Sequence, residues 1–139
     1  LPEHQAGFTD EQAAAWQKAQ PLFGDEAWWV RDLARETATD EQLMRAALRQ
    51  AAQQGAIAAI VKDRYYRNER IVQFAQLIRR LDSERGSTCA ADFRDSLGVG
   101  RKLAIQILEY FDRIGFTRRR GNDHLLRDAL LFPEADSFK

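Results

Sequence analysis

Between Arg94 and Arg120, seven cations (Arg94, Arg101, Lys102, Arg113, Arg118, Arg119 and Arg120) meet only three acids, Asp95, Glu109 and Asp112. Such a density of guanidinium and ammonium groups attracts phosphate, the sequence-independent part of nucleic-acid affinity. Glycines accompany the cations in Gly98-Val99-Gly100-Arg101-Lys102 and in Arg118-Arg119-Arg120-Gly121-Asn122. A residue without a side chain lets a ligand backbone approach closely, and amides left free at a helix start add to the pull on an anion. Gln106, Asn122 and His124 bring donors and acceptors suited to base edges, although His124 can as well pack on its neighbours. The candidate binding set is therefore Arg94, Gly98, Val99, Gly100, Arg101, Lys102, Gln106, Arg118, Arg119, Arg120, Asn122 and His124.

A run of three arginines by itself is commonly just a solvated turn. It gains meaning if a helix and a hairpin hold the two basic groups side by side. From Val99 to Ile114 the apolar Leu103, Ile107, Tyr110, Phe111 and Ile114 recur at three- and four-residue steps, which predicts a core-facing helix. Lys102, Gln106, Glu109 and Arg113 fall on its outer face. Gly115 suits the left-handed position that closes a helix. Phe116-Thr117 then starts a strand, and Leu125-Leu126 supplies its partner across a basic turn from Arg118 to Asn122. A helix followed by a two-stranded ribbon with a basic tip is the reading half of a winged helix.

The upstream chain reads the same way. Thr9 and Gln12 have capping-box spacing, with Phe8 placed to staple the helix start and Pro21 to end the helix. Trp28-Trp29-Val30 leads into a short helix to Glu36. Thr39 or Asp40 caps a third helix, with Leu43, Ala47, Leu48 and Ala51 inward and Gly55 at its end. Ala56–Val61 and Tyr65-Tyr66 form a hairpin around Lys62-Asp63-Arg64. Ile71, Phe74, Leu77, Ile78 and Leu81 mark the apolar face of the next helix, which follows without a flexible linker and so favours a limited range of module orientations. A turn at Arg85–Thr88, a short helix at Ala91–Arg94 and a turn at Leu97–Gly100 complete the chain before the basic helix.

The halves also align with each other. A shift of sixty residues places Asp32 on Asp92, Leu33 on Phe93, Leu43 on Leu103, Leu48 on Leu108, Gly55 on Gly115 and Arg67 on Arg127 without a gap. The first helices match at a shift of two fewer, Trp16 on Phe74. The fold class is thus mainly α with small β-hairpins, as two tandem winged-helix domains over residues 1–68 and 69–139. Where the second module has Gly98–Lys102 the first has Ala38-Thr39-Asp40-Glu41-Gln42, and its wing turn is less basic, so the second is the better polyanion binder.

Overall charge is zero, which removes any argument from net charge alone. No apolar run is long enough for a membrane helix. The lone Cys89 excludes an internal disulfide and suits a reducing, cytoplasmic compartment. His4, His124 and Cys89 have no zinc spacing, and neither a phosphate loop nor a nucleophile, base and orienter set is present, so neither metal nor catalysis is expected. Leu1 in place of Met suggests a piece of something longer.

These residues resemble a known family, the C-terminal region of the bacterial selenocysteine-specific elongation factor SelB, in its enterobacterial form. The resemblance rests on the paired modules, on Gly98–Lys102, on Arg118 to His124 and on the tail Leu125-Leu126-Arg127-Asp128-Ala129-Leu130-Leu131-Phe132-Pro133, and it covers nearly the whole chain. It implies that the last winged helix binds a messenger-RNA hairpin, the selenocysteine insertion element, beside a recoded UGA codon. It further implies the ribosome and selenocysteinyl-tRNA as partners, a monomer, and a first module that is a spacer or faces the ribosome. GTP and Mg belong, by resemblance, to amino-terminal domains outside this chain, which needs no cofactor itself. Winged-helix architecture alone would favour duplex DNA, so the choice of RNA comes from the resemblance. A protein-interaction scaffold built on the acidic first module and Trp28-Trp29 is the other reading of the residues alone.

Overall fold

The computed structural model describes residues 7–133; His4 lies outside them, as does the stretch 135–139. The chain divides into two compact units, Leu1–Ile71 and Val72–Lys139.

In the first unit α1 (Asp10–Ala19) begins at Thr9, whose side chain accepts from the Gln12 amide while the Gln12 side chain accepts from the Thr9 amide. Pro21 ends the helix in a 3-10 turn, Gln20–Leu22. β1 (Trp28–Trp29), α2 (Val30–Glu36), α3 (Glu41–Gln53), β2 (Ile57–Val61) and β3 (Arg64–Arg67) follow. The three strands form an antiparallel sheet in the order β1-β3-β2. Trp16, Val30, Leu33, Met44 and Leu48 are buried together beneath it.

The unit boundary falls inside α4 (Asn68–Arg85). The second unit then repeats the plan: β4 (Thr88–Cys89), α5 (Ala90–Leu97), α6 (Arg101–Arg113), β5 (Thr117–Arg120) and β6 (Asp123–Leu126), with sheet order β4-β6-β5. Its core is aromatic. Phe74 of α4 meets Phe93 of α5 edge-on, and Phe132 packs on both Phe111 and Phe116. Phe93, Phe111 and Phe116 are fully buried, each contributing about 1.5–3 kcal/mol relative to an exposed ring. Arg79 on α4 secures the tail by donating to the carbonyls of Ala129 at 2.7 Å and Phe132 at 3.0 Å, and Gln76 donates to that of Pro133 at 2.8 Å.

Several sequence expectations are corrected here. β1 and β4 stand where the sequence predicts a helix lead-in and a turn, because two residues carry no periodicity; each becomes an outer strand only by pairing with β3 or β6. Met44 and Ala104 are fully buried while Leu43 and Leu103 are only half-buried, so each helix is rotated slightly from its apolar centre. Ile114 is 39% exposed: it follows the last helical residue, and Gly115 at φ +86 turns the chain so that Phe116 enters the core instead. Arg118, Arg119 and Arg120 lie within β5, and the turn is Gly121-Asn122, with Gly121 at φ +65.

The gapless repeat also fails past the wing. β2 pairs Ile57 with Arg67 but changes register between Ala59 and Val61, leaving Ile60 as an extra residue, whereas β5 pairs Thr117 with Leu126 in unbroken register. Arg67 therefore matches Leu126, not Arg127. The counterparts of Arg118, Arg119 and Arg120 are Ala58, Ala59 and Val61, which makes the charge contrast between the wings larger than a comparison of the arginines with the turn Lys62-Asp63-Arg64 suggests.

Candidate nucleic-acid interface

The basic helix start is built by two glycines with different physical reasons. Gly98 closes α5 in the left-handed conformation, φ +72. Gly100 is the N-cap of α6 with ordinary extended angles, and a Cβ there would meet nothing within 4 Å. Neither its backbone angles nor its packing demands glycine, so what the position offers is clearance toward solvent. It also leaves the first amides of α6 without a side-chain cap, where Asp40 in the first unit accepts from the Leu43 amide at 3.0 Å. Arg101 and Lys102 are exposed on the first turn of α6.

Strand alternation divides the arginine run. Residues opposite each other share a face, so Arg119 and its partner His124 point one way, and Arg118 and Arg120 the other. Arg119 donates from Nε to the Gly121 carbonyl at 2.9 Å, with Nη1 3.8 Å from Glu109. Among the described residues no acid pairs with Arg101, Lys102, Arg118 or Arg120.

Between α5, the start of α6 and the wing lies a cleft of about 360 Å³, near the lower end of the usual size range for ligand pockets. It brings together five candidate residues: Arg94, Arg101, Arg119, Asn122 and His124. Its apolar lining, Cys89, Ala90, Ala91 and Ile105, carried no mark in the sequence. Arg94 donates from Nε to Asp95 at 3.1 Å. Gly98, Val99, Gly100, Lys102, Gln106, Arg118 and Arg120 do not line the cleft; Gln106 is half-buried on α6, Lys102 is exposed on the first turn of α6, and Arg118 and Arg120 are exposed on the face of β5 opposite to Arg119.

His124 is packed, with 6% of its surface exposed. Its Nδ1 lies 2.9 Å from Oδ2 and 3.0 Å from Oδ1 of Asp112, and Thr117 donates to Oδ1 of the same carboxylate at 2.6 Å. One acid of α6 thus ties down both strands of the wing. Sequence reasoning missed Asp112 and Thr117, but a signal existed. Their structural counterparts in the first unit are Ala52 and Ile57, and that of His124 is Tyr65, so two apolar positions and a tyrosine change together into a hydrogen-bonded set.

Among the described residues, no group of three or more His, Cys, Asp or Glu side chains is arranged to hold a metal ion.

Two winged-helix modules in tandem, one with a basic cleft and wing, define a nucleic-acid-binding class of protein. Residues 8–66 match the family described as selenocysteine-specific elongation factor, winged helix domain, and residues 79–126 match elongation factor SelB, winged helix. The chain is 83% identical over 134 residues to the selenocysteine-specific elongation factor of Escherichia coli K12, and 42% identical over 135 residues to that of Haemophilus influenzae. These alignments cover 96% and 95% of this chain but 22% of each relative. A solved structure of the mRNA-binding domain of elongation factor SelB from E. coli, in complex with SECIS RNA, superposes with TM-score 0.85 at 83% identity, covering 87% of this chain and all of that one. A bacterial EF-Sec structure, 19% identical with TM-score 0.67 over 87% of this chain and 20% of that one, shares the fold. The chain belongs to the SelB family of selenocysteine-specific elongation factors.

Proposed function

We propose that this chain binds a hairpin in messenger RNA, the selenocysteine insertion element, through its second module, and so tethers a selenocysteine-specific elongation factor beside a recoded UGA codon. The observation that carries this reading is the 83% identical E. coli domain whose structure was solved with SECIS RNA. The surface supports it. An A-form major groove is too narrow and deep for side chains, so RNA is read where bases leave the stack. Exposed cations at Lys102, Arg118 and Arg120, together with a cleft of nucleotide scale on the Arg119 face of the wing, suit a hairpin loop or bulge better than a long groove. Phosphate contacts at these exposed cations and at Gly98, Val99 and Gly100 position the RNA; Arg94, Arg101, Gln106, Arg119, Asn122 and His124 face or flank the base that is read.

In this reading residues 69–139 form the binding module and residues 1–68 a spacer or ribosome-facing module. GTP with Mg, and selenocysteinyl-tRNA, engage parts of the factor outside this chain. The factor works in the cytoplasm and this region as a monomer. Titration with a hairpin RNA, the same stem without its loop, and duplex DNA tests the assignment. Preference for the hairpin supports it. Stronger duplex DNA binding would make the protein a DNA reader, and no binding to any of the three would leave a protein-interaction role.

A further inference from the structure

Asp112 and His124 form a device at the wall of the cleft that phosphate attraction does not require. A carboxylate accepts hydrogen bonds, so the Asp112 contact at 2.9 Å places the proton of a neutral His124 ring on Nδ1. Thr117 donates to the same carboxylate and holds its orientation. The other ring nitrogen, Nε2, has no hydrogen-bond partner among the described residues, yet it is not among the buried atoms left unsatisfied, so the small exposure of the ring includes it. His124 lines the cleft and Asp112 does not, so Nε2 is the polar atom the ring has left for a ligand there.

The rest of the cleft sharpens the consequence. Arg94, Arg101 and Arg119 can only donate, so a cleft made of them alone would accept any phosphate or carbonyl. Its side-chain acceptors are the Asn122 carbonyl oxygen and Nε2 of His124, with the Cys89 sulfur a weak third. The first unit keeps the same fold with Ala52, Ile57 and Tyr65 at the matching places, so the polar set is not needed to build the module.

We infer that Asp112 is a positioning residue for base recognition: by holding Nδ1–H of His124 it presents Nε2 as an acceptor, and the cleft selects an unstacked nucleotide that offers an N–H or O–H donor. This rests on the hairpin-binding reading above and adds the chemistry of the nucleotide selected.

Asp112→Asn tests it, because a carboxamide keeps the size of the side chain but can also donate to Nδ1, which releases the opposite tautomer. The 139-residue chain and the variant are titrated against hairpins with single loop and bulge substitutions at two salt concentrations. The unaltered chain should discriminate by about tenfold or more at one nucleotide position. In the variant that ratio should fall below about threefold, or invert toward acceptor-bearing bases, with the salt slope unchanged. Nitrogen-15 spectra of the unaltered chain at pH 8 give a readout that needs no variant, and His124 should carry its proton on Nδ1. A discriminating chain whose variant discriminates equally, or a spectrum showing the Nε2–H tautomer, would overturn the positioning role while leaving hairpin binding intact. Uniform affinity of the unaltered chain across the panel would instead remove the hairpin reading, and this inference with it.

Discussion

In the first module the helix that faces the wing begins Asp40-Glu41 with a carboxylate cap, and in the second it begins Gly100-Arg101 with none. The same cleft exists in both. Trp29, Val30, Arg31, Glu41, Arg45 and Lys62 line it in the first, and sixty residues on, Cys89, Ala90, Ala91, Arg101, Ile105 and Asn122 line it in the second. The first cleft also holds Asp63, and Arg45 in it is engaged internally. Arg45 reaches Glu41 at 2.9 Å and Asp63 at 3.2 Å, and these hydrogen bonds raise its pKa above the usual arginine value. Arg64 lies over the Trp29 ring at 5.0 Å. What distinguishes the second module is therefore the set of cations on the first turn of α6 and on β5, Arg101, Lys102, Arg118 and Arg120, none of which pairs with an acid among the described residues. A backbone plan built on cores of similar construction tolerates either arrangement, because those surface charges add little to folding.

Four experiments would break or sharpen that contrast. The largest effect should come from Arg118, Arg119 and Arg120 to Ala together: hairpin affinity falls more than about tenfold and the salt slope drops by about 1 for each phosphate no longer neutralised. An unchanged salt slope would show that these arginines do not touch phosphates.

Gly100→Ala should come next. With open space at its Cβ, folding should change by less than about 1 kcal/mol, while RNA affinity falls several-fold if a phosphate approaches that amide. Gly98→Ala should differ by carrying a folding cost, roughly 1–2 kcal/mol of stability through its left-handed backbone. Thermal melts beside titrations separate the two.

A smaller change is expected for residues 69–139 alone. Their aromatic core is complete within the second unit, so circular dichroism should report a folded module with hairpin affinity within tenfold of the whole chain, a difference below about 1.4 kcal/mol. A larger loss would give the first module a direct part in binding.

The smallest effect on RNA should follow Lys62 and Arg64 to Ala, or Arg45→Leu. The last should lower the Tm of the first module by leaving Glu41 and Asp63 without their partner, yet leave hairpin affinity unaltered. An equal loss to that of the second-wing arginines would end the distinction between the modules.

Much of this is legible in the residues alone. Leu48, Ala51, Ile107 and Phe111 mark core faces because helical periodicity is a local property. Gly55 and Gly115 end their helices at φ +84 and +86, which glycine adopts without steric cost. The Asp40-Glu41 against Arg101-Lys102 contrast is plain text. The three-dimensional pairing decided the rest. The two-residue strands exist only through β3 and β6, and the bulge at Ile60 shifts one wing by a residue against the other. Which arginine turns toward the cleft depends on strand register, and which cation is neutralised depends on an acid eighteen positions away, as for Arg45 and Asp63. Asp112 and His124 stand on different elements, so their contact appears in no spacing. Sequence thus determined which elements form and where positive charge collects; through-space pairing determined which of those charges lack an internal acid and which ring nitrogen of His124 is held by Asp112.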